Sequence, residues 1–185
     1  MVVIGITGTL GAGKGTVAEY LVKKGFLHLQ VRDFLVEIIR TEGHEVNRDA
    51  MFEMGNRLRA ENGPAYITDQ LYEKAVKSGQ NCVIESLRNP AEVEGLKRHT
   101  NFLLFAVDAD QKTRYERIVS RAGEKDKVSF EKFAEQEAKE MTSTDKFAQN
   151  LSACIQMADY KFMNNGTREE LEKQVDKIIL NIPSQ

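Results

Sequence analysis

The stretch Gly8-Thr9-Leu10-Gly11-Ala12-Gly13-Lys14-Gly15-Thr16 constrains this chain more than any other. It lies between the apolar run Val2 to Ile6 and a segment whose apolar residues Val17, Ala18, Leu21 and Val22 recur at helical spacing. Val2, Val3, Ile4 and Ile6 are β-branched with no polar alternation, the pattern of a central strand covered on both faces. A buried strand that turns into a helix through such a glycine-rich loop is a phosphate cradle. The glycines let several backbone N–H groups converge on one anion, the helix N-terminus adds its positive end, and Lys14 reaches the outer phosphates.

Downstream, strands and helices alternate. Gly25 closes the first helix as a C′ residue, and Leu27 to Val31 reads as strand two. From Asp33, the residues Phe34, Leu35, Ile38 and Ile39 make a helix face; a second helix carries Met51, Met54 and Leu58 up to Asn62-Gly63-Pro64, and a third spans about 65–77. Three helices exceed what one crossover needs, so the region of about 33–78 is expected to include a helical subdomain over the sheet's C-terminal edge. Strand three is Cys82 to Ile84, followed by Glu85-Ser86-Leu87-Arg88 and a helix opened by Asn89-Pro90. Phe102 to Val107 is strand four, and Asp108 or Asp110 can cap the helix carrying Tyr115, Ile118 and Val119. A charged stretch, Arg121 to Ser129, precedes a helix over Phe130 to Met141, and a polar stretch runs from Thr142 to Ser152. Tyr160 to Met163 can form a fifth strand. Thr167 is the natural N-cap of a last helix with Leu171, Val175, Ile178 and Ile179 on one face.

The 185 residues fit one domain spanning 1–185, and the net charge of -2 gives no basic excess for general nucleic-acid or membrane-surface binding. The two cysteines, Cys82 and Cys154, form no CxxC or Cys/His cluster, so neither a disulfide framework nor a zinc site is expected. A reduced, cytoplasmic setting follows, with the protein a monomer or homodimer. His28, His44 and His99 are isolated in sequence and suggest no histidine-based catalysis.

The loop departs from the general pattern GxxxxGK[ST] in placing Gly15 directly after the lysine and the hydroxyl of Thr16 one position later. The form GxGKGT resembles the loop of adenylate kinase and other nucleoside monophosphate kinases. The resemblance implies a three-layer α/β P-loop kinase fold, with a five-stranded parallel sheet in the order 2-3-1-4-5, helices on both faces, a helical acceptor-binding insertion and a short lid at about 121–129. It implies ATP and Mg²⁺ as cofactors and a small nucleotide as acceptor.

Residue by residue, the resemblance gives Gly8, Gly11, Ala12, Gly13, Lys14, Gly15 and Thr16 to the donor phosphates. Glu85-Ser86-Leu87-Arg88 occupies the place of a motif like Asp-Gly-(Phe)-Pro-Arg, which gives Glu85 to the metal shell and Arg88 to the acceptor phosphate. A planar fork of donors also suits a phosphate oxygen pair on physical grounds; the bland alternative is an ion pair with Glu92 or Glu94. Asp108, ending an apolar strand, also resembles a metal-holding acid, with helix capping as its ordinary role, and the hydroxyl of Thr16 is the loop's own metal ligand. Arg117 and Arg121 look like the lid-side arginines, one against the adenine and one at the transferring group, against the plain reading of a solvated helix end. Asp33 matches an aspartate in a pattern like Gly-Asp-x-x-Arg, or simply caps its helix. Val36 replaces the arginine of that pattern, leaving Arg32 or Arg40 to hold the acceptor. Arg57 and Arg59 are further base or phosphate contacts from the helical insertion.

The C-terminal Ala158-Asp159-Tyr160 and Asn164-Asn165-Gly166-Thr167 are similar to the ending of dephospho-CoA kinases, where backbone at the Asn-x-Gly turn, here Asn165 and Gly166, lies close to adenine. A nucleotide's phosphate oxygen is already an anionic nucleophile that needs cations, whereas the hydroxyl of dephospho-CoA needs a base. The several arginines favour a nucleoside or deoxynucleoside monophosphate as acceptor, with dephospho-CoA as the alternative. A regulatory module that grips nucleotide without turning it over is the rival from another class, kept open by Val36 and by the Ser86-Leu87 variation.

Overall fold

The computed structural model describes residues 1–121, 129–145 and 147–182. Its centre is a parallel five-stranded sheet in the order β2-β3-β1-β4-β5. The strands are β1 (Val3–Gly8), β2 (Leu27–Gln30), β3 (Cys82–Glu85), β4 (Phe102–Asp108) and β5 (Tyr160–Met163). β1 sits in the middle, pairing Val3 with Cys82 on one side and with Phe102 on the other. Its six residues are all buried, as its unalternating apolar sequence predicts.

Successive strand residues feed opposite layers. Val3, Cys82, Ile84 and Leu104 join one core, against α2 (Val31–Thr41), α3 (Arg48–Asn62), α4 (Tyr66–Ser78) and α5 (Pro90–Lys97). Ile4, Ile6, Val83, Phe105 and Val107 join the other, against α1 (Lys14–Lys23) and α9 (Arg168–Ile179). This period-two partition is what a sheet covered on both faces requires. α6 (Gln111–Arg121) and α7 (Phe130–Met141) follow β4.

Several expectations shift. α2 starts at Val31, so that residue leaves strand two, Gln30 takes the N-cap position, and Asp33 lies in the first turn instead of capping it. Within the polar stretch 142–152, Asn150 caps a short helix, α8 (Leu151–Gln156), by accepting from Ala153 N–H. Leu151 and Cys154 of α8 are buried and the helix packs on β1. Six residues are under two turns, too short for helical periodicity to register. The interior of the expected lid, 122–128, lies outside the described residues. Cys82 and Cys154 are free and buried, and burial pushes the Cys154 thiol up to about 12, away from thiolate chemistry.

Candidate active site

The glycine loop leaves β1 at its C-terminal end, and its glycines are dictated by space. Gly8, Gly11 and Gly13 have φ values of 135°, 80° and 108°, a region that L side chains avoid. A Cβ on Gly8 would stand 1.9 Å from the Val107 carbonyl oxygen, one on Gly11 2.7 Å from the Arg114 carbonyl oxygen, and one on Gly13 2.4 Å from Asn164 Nδ2. Gly15 differs: its Cβ would meet Glu85 Oε1 at an ordinary 3.8 Å. α1 starts at Lys14 with no side-chain cap and no acid in its first turn, so its positive end is left for an external anion. The loop therefore fits a nucleotide's phosphates by shape as well as by charge.

Lys14 folds back on the loop, donating to the Gly8 carbonyl at 2.8 Å and the Thr9 carbonyl at 2.9 Å. Burial, aided by the Arg88 guanidinium, lowers its pKa to about 8, while Glu85 and Glu140 pull the other way. Two residues absent from the sequence-based set hold the loop from behind. Asn164 is buried and donates to the Ala12 carbonyl at 2.7 Å. Arg114, 5% exposed, donates to the carbonyls of Ala109 at 2.8 Å and Leu10 at 3.4 Å and pairs with Glu137 at 2.6 Å. An arginine in a helix on an otherwise polar segment gives no sequence signal of burial; for Asn164, its place beside the Asn165-Gly166 turn was the available hint.

β3 ends at Glu85, whose Oε2 lies 3.0 Å from His28 Nε2 across the sheet. His28 is therefore not isolated: β2 runs parallel to β3 and brings it to this acid. Ser86 then adopts φ of 73°, the left-handed region, with the Ser86 and Leu87 N–H groups both donating to the Ile6 carbonyl. Buried Glu92 accepts from the backbone N–H groups of Arg88 and Asn89 at 3.0 and 3.1 Å and lies 3.9 Å from Arg59. Burial raises the Glu92 carboxyl above the ordinary range despite these donors. Glu92 thus takes the backbone of Arg88, and the guanidinium turns elsewhere: to Gln149 Oε1 at 3.3 Å and Glu140 Oε2 at 3.7 Å.

A cavity of 510 Å³ opens there, bringing together Arg32, Arg59, Glu85, Ser86, Arg88 and Glu140. A second of 670 Å³ shares Arg59 and Glu140 and reaches Leu10 in the glycine loop. Asp33 and Arg40 line neither cavity and are exposed on α2. Arg57 pairs with Glu42 in a separate 350 Å³ cleft between α2 and α3. Arg117 Nη2 donates to the Gly166 carbonyl at 3.4 Å, so this arginine and the Asn165-Gly166 turn do meet. Asn165 Oδ1 accepts from Asp110 N–H. Arg121 is exposed at the end of α6.

For a metal, Thr16, Glu85 and Asp108 are the oxygen donors in question. Asp108 Oδ1 accepts from Thr9 Oγ1 at 2.6 Å and from Ala109 N–H at 2.8 Å, and lies 3.5 Å from Arg114 Nε. Those contacts occupy it, whereas Glu85 meets His28 through one carboxylate oxygen and turns the other, Oε1, toward Gly15 beside Thr16. Among the described residues no group of three or more His, Cys, Asp or Glu side chains forms a metal cluster.

This topology, with the loop at the C-terminal end of its middle strand, defines a P-loop domain of kinase-like fold. The chain belongs to the AAA domain family, whose model matches residues 4–145, and to the UPF0200 proteins. It is 31% identical over 191 residues to UPF0200 protein TK1334 of Thermococcus kodakarensis, with 100% of both chains covered. Among solved structures, TT1252 from Thermus thermophilus matches with a TM-score of 0.67 at 20% identity, covering 99% of this chain and 98% of that one. Shikimate kinase from Bacteroides thetaiotaomicron matches at 0.59 and 14% identity, covering 97% and 98%. At such identities the likeness is one of fold. No described helix is long and apolar enough to cross a membrane.

Proposed function

We propose that this protein is an ATP-dependent phosphotransferase whose acceptor is a small nucleotide, a nucleoside or deoxynucleoside monophosphate. The observation that carries the reading is the convergence of two phosphate-binding arrangements on one centre. The glycine loop with Lys14 is one; Arg88 at the end of the neighbouring strand, in a cavity with Arg32 and Arg59, is the other. An acceptor phosphate oxygen needs no base; it needs cations that hold it in line with the donor. In the transfer, a bond forms between that oxygen and the γ-phosphorus as the bond from the γ-phosphorus to the β,γ-bridging oxygen breaks, releasing ADP and a nucleoside diphosphate.

The chain's own part is positioning and charge. Lys14 and the amides of the loop hold the donor phosphates, Arg88 holds the acceptor, and Arg117 and Arg121 stand on the lid side. Glu85 and Thr16 would hold Mg²⁺, which when bound neutralises charge on the phosphate oxygens. The test is ADP formation from ATP and Mg²⁺ over a panel of nucleoside and deoxynucleoside monophosphates. Turnover with one member, abolished in Lys14→Ala with the fold intact by circular dichroism, is expected. Turnover with dephospho-CoA alone would reverse the choice of acceptor, and nucleotide binding with no transfer to any acceptor would favour a regulatory module.

A further inference from the structure

Glu85 ends β3 with its two carboxylate oxygens aimed in different directions. Oε2 lies 3.0 Å from His28 Nε2, and Oε1 turns toward Gly15, next to Thr16. A carboxylate oxygen can only accept, so Nε2 carries the hydrogen of this bond. Both side chains are mostly buried, His28 at 22% exposure and Glu85 at 16%. Among the described residues no third His, Cys, Asp or Glu joins them in a metal-holding group. The imidazole is thus a partner of the carboxylate and not part of a closed metal centre of its own.

The parallel register brings the two together. His28 pairs with Val83 and Gln30 with Glu85, so the imidazole approaches the acid diagonally across the two strands. Val83 and Glu85, two residues apart, share one face of the sheet, and Val83 packs in the core that α1 closes. The flanking Leu27 and Leu29 pack against the opposite core, which puts His28 on the α1 side. α1 begins at Lys14, so Gly15 and Thr16 form its first turn. The carboxylate therefore spans from the imidazole of an edge strand to the turn that carries the loop's hydroxyl.

We infer that His28 is a positioning residue: by holding Oε2 it fixes the Glu85 carboxylate so that Oε1 is presented to the Mg²⁺ that Thr16 would share. The inference rests on the reading of Glu85 as a metal-holding acid. An untied glutamate gives up the freedom of its side-chain torsions when it engages a cation, directly or through the ion's water. Here the fold has already removed that freedom. Mg²⁺ demands near-ideal octahedral geometry, so a misdirected oxygen is of little use to it. Groups that orient a metal-holding side chain by hydrogen bonding typically contribute about 10–100-fold to metal affinity.

The test measures ADP dissociation constants by calorimetry, once with excess EDTA and once with saturating Mg²⁺. By linkage, their ratio reports how much more tightly bound ADP holds the ion than free ADP does. Removing the imidazole in His28→Leu is expected to lower this ratio about tenfold, while the constant in EDTA stays within about threefold. His28→Gln, whose amide donor reaches about as far as Nε2, should restore most of the ratio. In a Glu85→Gln background, His28→Leu should change the ratio no further, because it acts through the carboxylate. A ratio that survives His28→Leu, that falls as far in His28→Gln, or that falls again in the double variant overturns the positioning role while leaving Glu85 as the metal-holding acid. A ratio unchanged in Glu85→Gln itself overturns the metal reading of Glu85 and the inference with it.

Discussion

Ser86 is the only non-glycine residue at positive φ among the described residues, and it stands where the nucleoside monophosphate kinase motif that this segment resembles has glycine. The left-handed conformation strains a serine by roughly 1–2 kcal/mol, partly offset in glycine by its greater chain entropy. Ser86→Gly is therefore expected to stabilise the protein by about 1 kcal/mol, raising the melting temperature by roughly 2–4 °C in a scanning experiment. The loop offers a sharper contrast. Gly13→Ala puts a methyl group 2.4 Å from Asn164 Nδ2 in a strained backbone, whereas Gly15→Ala meets only ordinary contact at 3.8 Å. ADP affinity, measured by calorimetry, should fall at least about tenfold in the first, for strain of about 1–3 kcal/mol, and stay within about threefold in the second. Lys14 yields a pH prediction. With its pKa at about 8 in the free protein, much of the amine is neutral at around pH 8.5. Bound phosphates favour the ammonium, so ADP binding at that pH draws a proton from the buffer; at about pH 6.5 the amine is already charged and uptake from this source disappears. Calorimetry in two buffers of different ionisation heat checks it, and proton release at the higher pH would contradict it.

At the scale of elements, the contact between α6 and α7 supports the glycine loop from behind. Arg114 and Glu137 are nearly buried, with side-chain exposures of 6% and 11%. Removing Glu137 leaves the buried Arg114 with only the longer 3.5 Å contact to Asp108, which costs about 3 kcal/mol. Glu137→Gln should accordingly lower the melting temperature by roughly 6–12 °C and weaken ADP binding through the Leu10 carbonyl that Arg114 holds. Glu140→Gln, one turn away on the same face but half-exposed, should leave the melting temperature within about 3 °C. This pair of outcomes separates the anchoring turn of α7 from the turn that meets Arg88. α8 shows the opposite relation of element to sequence: too short to announce itself, it exists because Asn150 caps it and β1 receives Leu151 and Cys154.

For the molecule as a whole, the glycine loop and the arginine-lined cavity both lie at the C-terminal ends of the strands. A ligand that binds only the folded state stabilises by about 2.7 kcal/mol at a hundred times its dissociation constant. ADP with Mg²⁺ at that concentration should raise the melting temperature by roughly 5–10 °C, and the shift should vanish in Lys14→Ala. What the sequence by itself determined is what short-range physics can dictate. The alternation of strands and helices follows from buried runs, the strand order from the resemblance of the loop to that of nucleoside monophosphate kinases, the cradle from glycines that tolerate positive φ, and the capped starts of α5 and α9 from Asn89 and Thr167. Tertiary structure alone decided which charges meet. It grouped Arg32, Arg59 and Arg88 in one cavity and left Arg40 and Arg57 outside it, set His28 against Glu85, buried Arg114 and Asn164 behind the loop, and brought Glu140 to Arg88. Those pairings join residues tens of positions apart, and they depend on how each helix is rotated as it packs, which no local pattern of side chains records.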